Sequence, residues 1–474
     1  MDKLITKQFD PTGEKFFDLV QKDDDRQAHN SAPCGMNTPN PPRVNWRTHM
    51  SLGLLALVYI FSYIDRQVIS ILIEPIKHEF GASDTHIGLL TGIAFGLLYA
   101  VMGLPLGRLA DRSSRRNIIA ISCTLWSFAT LACGMVFQFW QLLAARMAVA
   151  VGEAGGMAPS ISLVSDLYPP KRRSLVISLF MMGPHFGVLI GLALGGWIAQ
   201  NYGWRMTFMA FGIPGLVLGP LVWLLVREPV RGGFDLPKTG PVLATEPLWM
   251  QVRRLLAISA FRNVALACGV AGVAGYGYGI WTPSFLVRTH GLSIAHAGLM
   301  FGVASGVGAM SGTMFSGALC DRLTQRDVRW QIGLPLIGVA LSVPSALAFL
   351  LWPTGSPWVL GPLLVPKAMF FAMLFGFFAS WWAALSYSAV SQMIATSERT
   401  VASALLNLFI TLLGVGAGPL VTGVLSDLLT PMFGADALRW ALVAVVLLFL
   451  LTILFFALAL NPYREQLARN RETT

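Results

Sequence analysis

From residue 49 to residue 460 the chain is a succession of long apolar runs separated by short polar breaks. A helix that crosses a bilayer needs about 20 mostly apolar residues, and twelve runs meet that length. The first six lie near 49–73, 86–106, 117–135, 138–166, 173–200 and 205–226, and the second six near 258–285, 294–316, 329–352, 358–392, 400–427 and 436–460. A barrel would show short segments of alternating polarity instead. The pattern therefore predicts an all-α membrane protein of twelve transmembrane helices. The longest break, 227–257, separates an N-terminal six-helix bundle (49–226) from a C-terminal one (258–460). Residues 1–48 and 461–474 form polar tails.

Lys and Arg collect in alternate breaks. Arg43 and Arg47 precede the first run, and Arg108, Arg112, Arg115 and Arg116 follow the second. Lys171, Arg172 and Arg173 follow the fourth, and Arg322, Arg326 and Arg329 the eighth. Arg464, Arg469 and Arg471 end the chain. With twelve spans all of these fall on one side, and the opposite breaks carry only Lys77, Arg205, Arg288 and Arg439 as main exceptions. The positive-inside rule then puts both termini in the cytoplasm; for a chain of bacterial origin the expected location is the inner membrane.

The two halves repeat one another. Gly107-Arg-Leu-Ala-Asp111-Arg112-Ser-Ser-Arg115-Arg116 follows the second helix of the first half. Gly317-Ala-Leu-Cys-Asp321-Arg322-Leu-Thr-Gln-Arg326 follows the second helix of the other. A matched repeat implies two bundles related by a pseudo-two-fold axis, with a substrate site between them.

Composition agrees. Of 474 residues 55% are hydrophobic and only 12% charged, about half the charged fraction of a soluble domain. The net charge of +10 does not signal nucleic acid, because the basic residues sit in the breaks. Cys34, Cys123, Cys133, Cys268 and Cys320 show no metal-ligand spacing, and most read as small packing residues. The first 47 residues lack the apolar core of a signal peptide and read as a solvated tail. No phosphate-binding Gly-x-x-x-x-Gly-Lys loop is present, so neither ATP nor any other cofactor is expected.

On these motifs the chain resembles the major facilitator superfamily over almost all of its length after residue 48, although Ser114 stands where that family usually has a second glycine. Further stretches resemble its spinster group of lysolipid and sphingolipid transporters. They are Tyr63-Ile-Asp65-Arg66, Arg146-x6-Glu153-Ala-Gly with Pro159 and Asp166, and Arg173-Ser174. Gly183-Pro184, Gly203-Trp204-Arg205, Gly414-x-Gly-x-Gly418-Pro419 and Ser426-Asp427 complete the set. Related organic-anion symporters share parts of this pattern. The resemblance implies a monomeric, alternating-access carrier. It also implies that Gly107, Asp111, Arg112 and Arg115, with Asp321, Arg322 and Arg326, gate the cytoplasmic side by tying the bundles together in one state. Ordinary topogenic charge is the plainer reading of those loops.

Ionisable groups inside a membrane are costly and mark function. They concentrate in the first half as Asp65, Arg66, Arg146 and Glu153. Arg146 and Glu153 are seven apart, about two turns, and so share a helix face; two acid–base pairs can form between helices 1 and 4. Protonating one acid would leave an arginine for an anion to bind. Asp65 is the expected proton carrier, with Glu153 second, and Arg66 and Arg146 the expected anion contacts. The alternative is that the pairs only hold the two helices together. The second half offers aromatics instead: Tyr276, Tyr278 and Trp281 in helix 7, Trp381 and Trp382 in helix 10. A cavity charged on one wall and aromatic on the other suits an amphipathic anion, such as a lysophospholipid or sphingoid phosphate, moved with protons. A small organic acid is the rival substrate. Nothing in the spacing suggests an enzyme. In helix 5, Gly183, Gly187, Gly191 and Gly195 form a stripe that lets another helix approach closely, and Gly183-Pro184 resembles an element of exporting members of the superfamily.

Overall fold

The computed structural model describes residues 45–231 and 247–472, apart from 356, 361–362 and 395–397. Most of the predicted tail, Cys34, the centre of the predicted linker and residues 473–474 lie outside the described residues.

Among the described residues eleven helical runs are long and apolar enough to cross a membrane. The first ten are Trp46–Ile71, Asp84–Arg112, Arg115–Cys133, Phe139–Leu167, Leu175–Tyr202, Trp204–Leu225, Ser259–His290, Ile294–Thr324, Trp330–Leu351 and Met369–Met393. The eleventh, Val401–Asn470, reverses at Gly434, whose φ of 53° no side chain adopts readily. It thus contributes two spans, 399–433 and 437–472, and spans 1 to 12 are numbered in this order.

Local chemistry sets the ends. Asn45 caps span 1 by accepting from the Thr48 N–H, and Ser83 and Ser293 cap spans 2 and 8 in the same way. Span 5 turns into span 6 at Gly203, with φ 86°.

Span 5 packs along span 1, as its glycines predict. A Cβ at Gly187 would come within 2.5 Å of the Tyr63 Cβ, and one at Gly191 within 3.2 Å of the Ile64 Cα. The halves meet mainly where span 5 lies on span 8 and span 2 on span 11. Exchanging the halves turns span 5 into span 11 and span 2 into span 8. Each contact is therefore the image of the other, as two related bundles require. Both contacts are backbone-close: a Cβ at Gly298 would meet the Leu192 carbonyl at 2.2 Å, and one at Gly88 the Pro419 carbonyl at 2.7 Å.

Some boundaries differ from expectation. The run 358–392 was expected to be one helix, but helix begins at Met369. Before it, β1 (Trp358–Leu360) and β2 (Leu363–Val365) pair antiparallel, with Trp358 opposite Val365. Pro357 and Pro366 bracket this stretch, and the residue before a proline favours extended backbone. Within the expected linker, Leu248–Ala257 is helical. Span 12 continues past the expected end at 460.

Spans 4, 10 and 11 are not uniform α-helix. Span 4 breaks between Glu153 and Met157, span 10 between Ala379 and Trp381, and span 11 runs as π-helix over Ile410–Ala417. A π segment frees backbone groups locally and recurs at functional sites. Here it lies against spans 2 and 7.

Candidate functional site

Asp65 and Arg66 are neighbours on span 1, so their side chains leave the helix about 100° apart. Arg66 faces span 4, where its Nε donates to Glu153 Oε2 at 2.5 Å; Ser62, one turn earlier, donates its hydroxyl to the same oxygen at 3.1 Å. The Glu153 side chain is fully buried, whereas that of Arg66 is 19% exposed. Asp65 turns toward span 3, where Oδ2 accepts from the Thr130 hydroxyl at 3.0 Å. Arg146 approaches by a different route, as its Nη1 donates to the backbone carbonyl of Asp65 at 3.2 Å.

The four charges therefore gather as expected, but with one direct ion pair rather than two. The 100° between adjacent residues lets only Arg66 reach Glu153 and leaves the Asp65 carboxylate to a hydroxyl. Three buried atoms of the cluster, Asp65 Oδ1, Arg146 Nε and Glu153 Oε1, have no hydrogen-bond partner among the described residues. A cluster this deeply buried and incompletely satisfied is expensive, and apolar packing would join the helices without that cost.

Aromatic rings from span 2 enclose the arginines. The Arg66 guanidinium lies 4.4 Å from the Tyr99 ring centroid and 5.4 Å from that of Phe95, with Tyr63 on its own helix at 5.2 Å. Arg146 also sits 5.4 Å over Phe95. Such contacts favour a desolvated cation.

Across the axis, Tyr276 is near enough to Tyr63, Arg66 and Tyr99 to interact electrostatically, and Tyr387 of span 10 similarly interacts with Tyr276, Tyr63 and Tyr99. The Tyr387 hydroxyl donates to Asn407 at 3.1 Å. Arg66 thus neighbours Tyr59, Tyr63 and Tyr99 of the first half and Tyr276 of the second, with Tyr387 close to Tyr276. Tyr99 and Tyr387 were not singled out in the sequence. Tyr99 stands as a hydroxyl in an otherwise apolar run, whereas Tyr387 lies between Ser386 and Ser388 and carries no such signal.

The other aromatics were expected at the same cavity, but three of the five lie elsewhere. Tyr278 is buried within the second half against Phe301, Phe349 and Phe375. Trp381 is buried in a small cluster with Cys320, Leu334 and Leu385. Trp281 is fully buried and donates its indole N–H to the Pro419 carbonyl at 2.9 Å. Helical periodicity turns Tyr278 and Trp281 away from the face that presents Tyr276. Trp382 is partly buried against the main core.

At the end opposite the arginine-rich breaks, charges join the two halves. Arg288 of span 7 donates twice to the carboxylate of Asp84 at 2.8 Å, and to Glu74 at 2.9 Å. Asp84 also pairs with Lys77 and accepts from the Ser426 hydroxyl at 2.6 Å. Asp427 of span 11 accepts from the first N–H groups of span 2, Asp84 at 3.1 Å and Thr85 at 2.7 Å. A carboxylate there completes the helix end and meets its dipole. The sequence signal was Lys77 and Arg288, basic residues on the side that otherwise lacks them. Nearby, Glu79 accepts from Arg205 and from the Trp204 indole, and the Arg205 bond holds its carboxyl below the usual range.

At the arginine-rich end, the ion pairs of the duplicated loop stay within the first half. Arg115 bonds Asp166 at 2.5 Å and Glu228 at 2.8 Å. The Glu228 carboxylate accepts from the Arg116 N–H and the Ser114 hydroxyl at the start of span 3. Burial alone would raise the Glu228 carboxyl, but these bonds outweigh it and hold the group below its ordinary value. Arg231 donates to the Ala110, Asp111 and Ser113 carbonyls. The expected gate residues Asp111, Arg112, Asp321, Arg322 and Arg326 are all exposed, and a Cβ at Gly107 would meet nothing within 4 Å. The carboxylate at the helix start is Glu228, 62 residues beyond the loop's other ligand Asp166, which is why motif spacing does not reveal it.

The model of the Major Facilitator Superfamily matches residues 55–373. An "MFS-type efflux pump" of Mycolicibacterium smegmatis is 35% identical over 85% of this chain and 90% of its own. The "Probable galactarate/D-glucarate transporter GudP" of Bacillus subtilis is 28% identical over 70% of this chain and 77% of its own. The zebrafish (Danio rerio) "Sphingosine-1-phosphate transporter SPNS2" is 25% identical over 82% and 78%. Among solved structures, a bacterial homologue of the human lysosomal transporter Spinster, inward-facing and unoccupied, superposes with a TM-score of 0.79 at 27% identity, covering 89% of this chain and 98% of its own. With two six-helix halves and a buried charge cluster in the first, the chain belongs to the Major Facilitator Superfamily and is a spinster-like multi-pass membrane transporter.

Proposed function

We propose that this transporter carries an amphipathic organic anion, of the lysophospholipid or sphingoid phosphate class, by alternating access coupled to protons. The observation that carries this reading is Arg66: a partly exposed cation, paired with the buried Glu153, set among tyrosines from both halves. In this mechanism a proton on Glu153 or Asp65 removes the negative partner, and the arginines then hold the anionic head group. Breaking a buried pair costs about 3–5 kcal/mol, so the uncompensated arginine and the anion stabilise one another. Loss of the proton restores the internal pair and expels the anion.

The arginine-rich end is cytoplasmic in this reading, the membrane is the bacterial inner membrane, and the carrier works as a monomer. The joined opposite end then corresponds to an inward-facing state. In the outward-facing state, Gly107, Asp111, Arg112 and Arg115 with Asp321, Arg322 and Arg326 would tie the cytoplasmic sides together. The similarity to an efflux pump and the Gly183-Pro184 pair favour movement out of the cytoplasm. A second reading, carriage of small organic anions, draws support from the similarity to GudP.

Thermal unfolding of the detergent-purified protein separates the two. A ligand at a hundred times its Kd stabilises by about 2.7 kcal/mol. Lysophospholipid is expected to raise the melting temperature by several degrees, and galactarate to leave it unchanged. The reverse result would move the substrate to the small sugar acids.

A further inference from the structure

Span 4 breaks just after Glu153, where it packs closely on a neighbouring tryptophan. Trp126 of span 3 is almost wholly buried. A Cβ at Gly152 would fall 2.7 Å from its backbone nitrogen, and one at Gly156 3.3 Å from its ring. Gly152 thus packs on the Trp126 backbone and Gly156 on the edge of its ring, where a side chain at Gly152 would clash. Beside the carboxylate lies a small cavity with about 10 Å³ of room for water, about the least that holds a single molecule. Its lining includes Trp126, Glu153, Ser62, Tyr59 and Ser160.

Two of these residues contribute buried polar atoms that no described residue satisfies: the Trp126 indole Nε1, a donor, and Glu153 Oε1, an acceptor. Both groups are costly to bury unpaired. The hydroxyls of Ser62, Ser160 and Tyr59 already donate, to Glu153 Oε2, the Gly156 carbonyl and the Met157 sulfur, and keep lone pairs to accept with. We infer that this cavity binds one water molecule that bridges the Trp126 indole to Oε1 of Glu153, making Trp126 a positioning residue for the proton-coupling carboxylate. The water accepts from the indole and donates to Oε1, so its two ends match the two unsatisfied atoms.

The inference deepens the proposed role of Glu153 and rests on that reading for its functional meaning. The bridge adds a third contact to the Glu153 carboxyl group, beside those from Arg66 and Ser62. Other charged and titratable groups near the cluster are Asp65, Tyr59 and Tyr63 on span 1, Tyr99 on span 2 and Arg146 on span 4. Removing only the indole N–H leaves all of these in place.

The test is infrared spectroscopy of the full-length protein in lipid bilayers, titrated from about pH 4 to pH 9, with Glu153→Gln used to assign the Glu153 bands. Trp126→Phe keeps an aromatic ring; replacement of Trp126 by benzothienylalanine keeps the bicyclic shape and covers the case in which Trp126→Phe fails to fold. Either change is expected to shift the carboxylate stretching frequency of Glu153, because one of its hydrogen bonds is lost. An unchanged frequency in the folded variant would overturn the bridge. Should Glu153 stay ionised throughout in the native protein, its coupling role fails. The carboxylate stretch, compared between native protein and variant, would then still decide the bridge.

Discussion

The two ends of this molecule are held by the same kinds of groups in different arrangements. At the end opposite the arginine-rich breaks, Arg288 and Asp427 of the second half reach Asp84, Glu74 and the start of span 2 in the first. At the arginine-rich end, Arg115, Asp166 and Glu228 all belong to the first half or its exit. One set of ionic contacts joins the halves, and the other stiffens a single half. The difference teaches that the joined end is the one a conformational change must break. Between the ends lies Arg66, whose partner Glu153 is in its own half and whose tyrosine neighbours come from both.

The largest effect is expected from breaking the joined end. Asp84→Asn keeps the shape but removes the charge that Arg288 and Lys77 share. Loss of a buried partner costs about 3–5 kcal/mol, so the ratio of open to joined forms should rise more than a hundredfold. Spin-label distances between spans 2 and 11 at that end would show the separation; an unchanged distance distribution would mean that the glycine-mediated packing alone holds the halves together.

A smaller effect is expected at the centre. Arg66→Ala removes a partly exposed cation and leaves Glu153 without its ion pair. Anion affinity should fall by about 10–100-fold, the range of one charge-assisted contact, as read by ligand-induced stabilisation. Tyr276→Phe should change affinity more than Tyr278→Phe, because Tyr278 lies among phenylalanines inside the second half.

The smallest effect belongs to the arginine-rich end. Glu228→Gln should cost about 1 kcal/mol, as expected for a partly exposed ion pair, with little change in transport. Because the folded state holds this carboxyl below its usual value, its contribution is present above about pH 4.5. It is lost as pH falls through the folded value, so native and variant proteins should converge in melting temperature at acid pH.

The fold was legible in the sequence because apolar length and the polar breaks report span number directly. The matched Asp-Arg loops reported the two halves, and the glycine stripe of span 5 its close neighbour. The start of span 10 was not legible, since 358–365 is as apolar as a helix and only its prolines hint at a hairpin. The site was half legible. Buried charge singled out Asp65, Arg66, Arg146 and Glu153, but which acid meets which arginine depends on side-chain directions that composition does not carry. Among aromatics the sequence could not separate Tyr276 at the axis from Tyr278, two residues away and inside a bundle. The joining role of Asp84 and Asp427 was not legible, because their partners in the other half lie more than 200 residues distant.

The central claim is that buried carboxylates couple proton movement to the anion. The most direct measurement is uptake of a labelled lysophospholipid into proteoliposomes under an imposed pH gradient, native protein against Asp65→Asn. The account predicts gradient-dependent uptake by the native protein and none by a folded Asp65→Asn variant. Normal gradient-driven uptake by that variant would contradict the assignment of Asp65 as proton carrier.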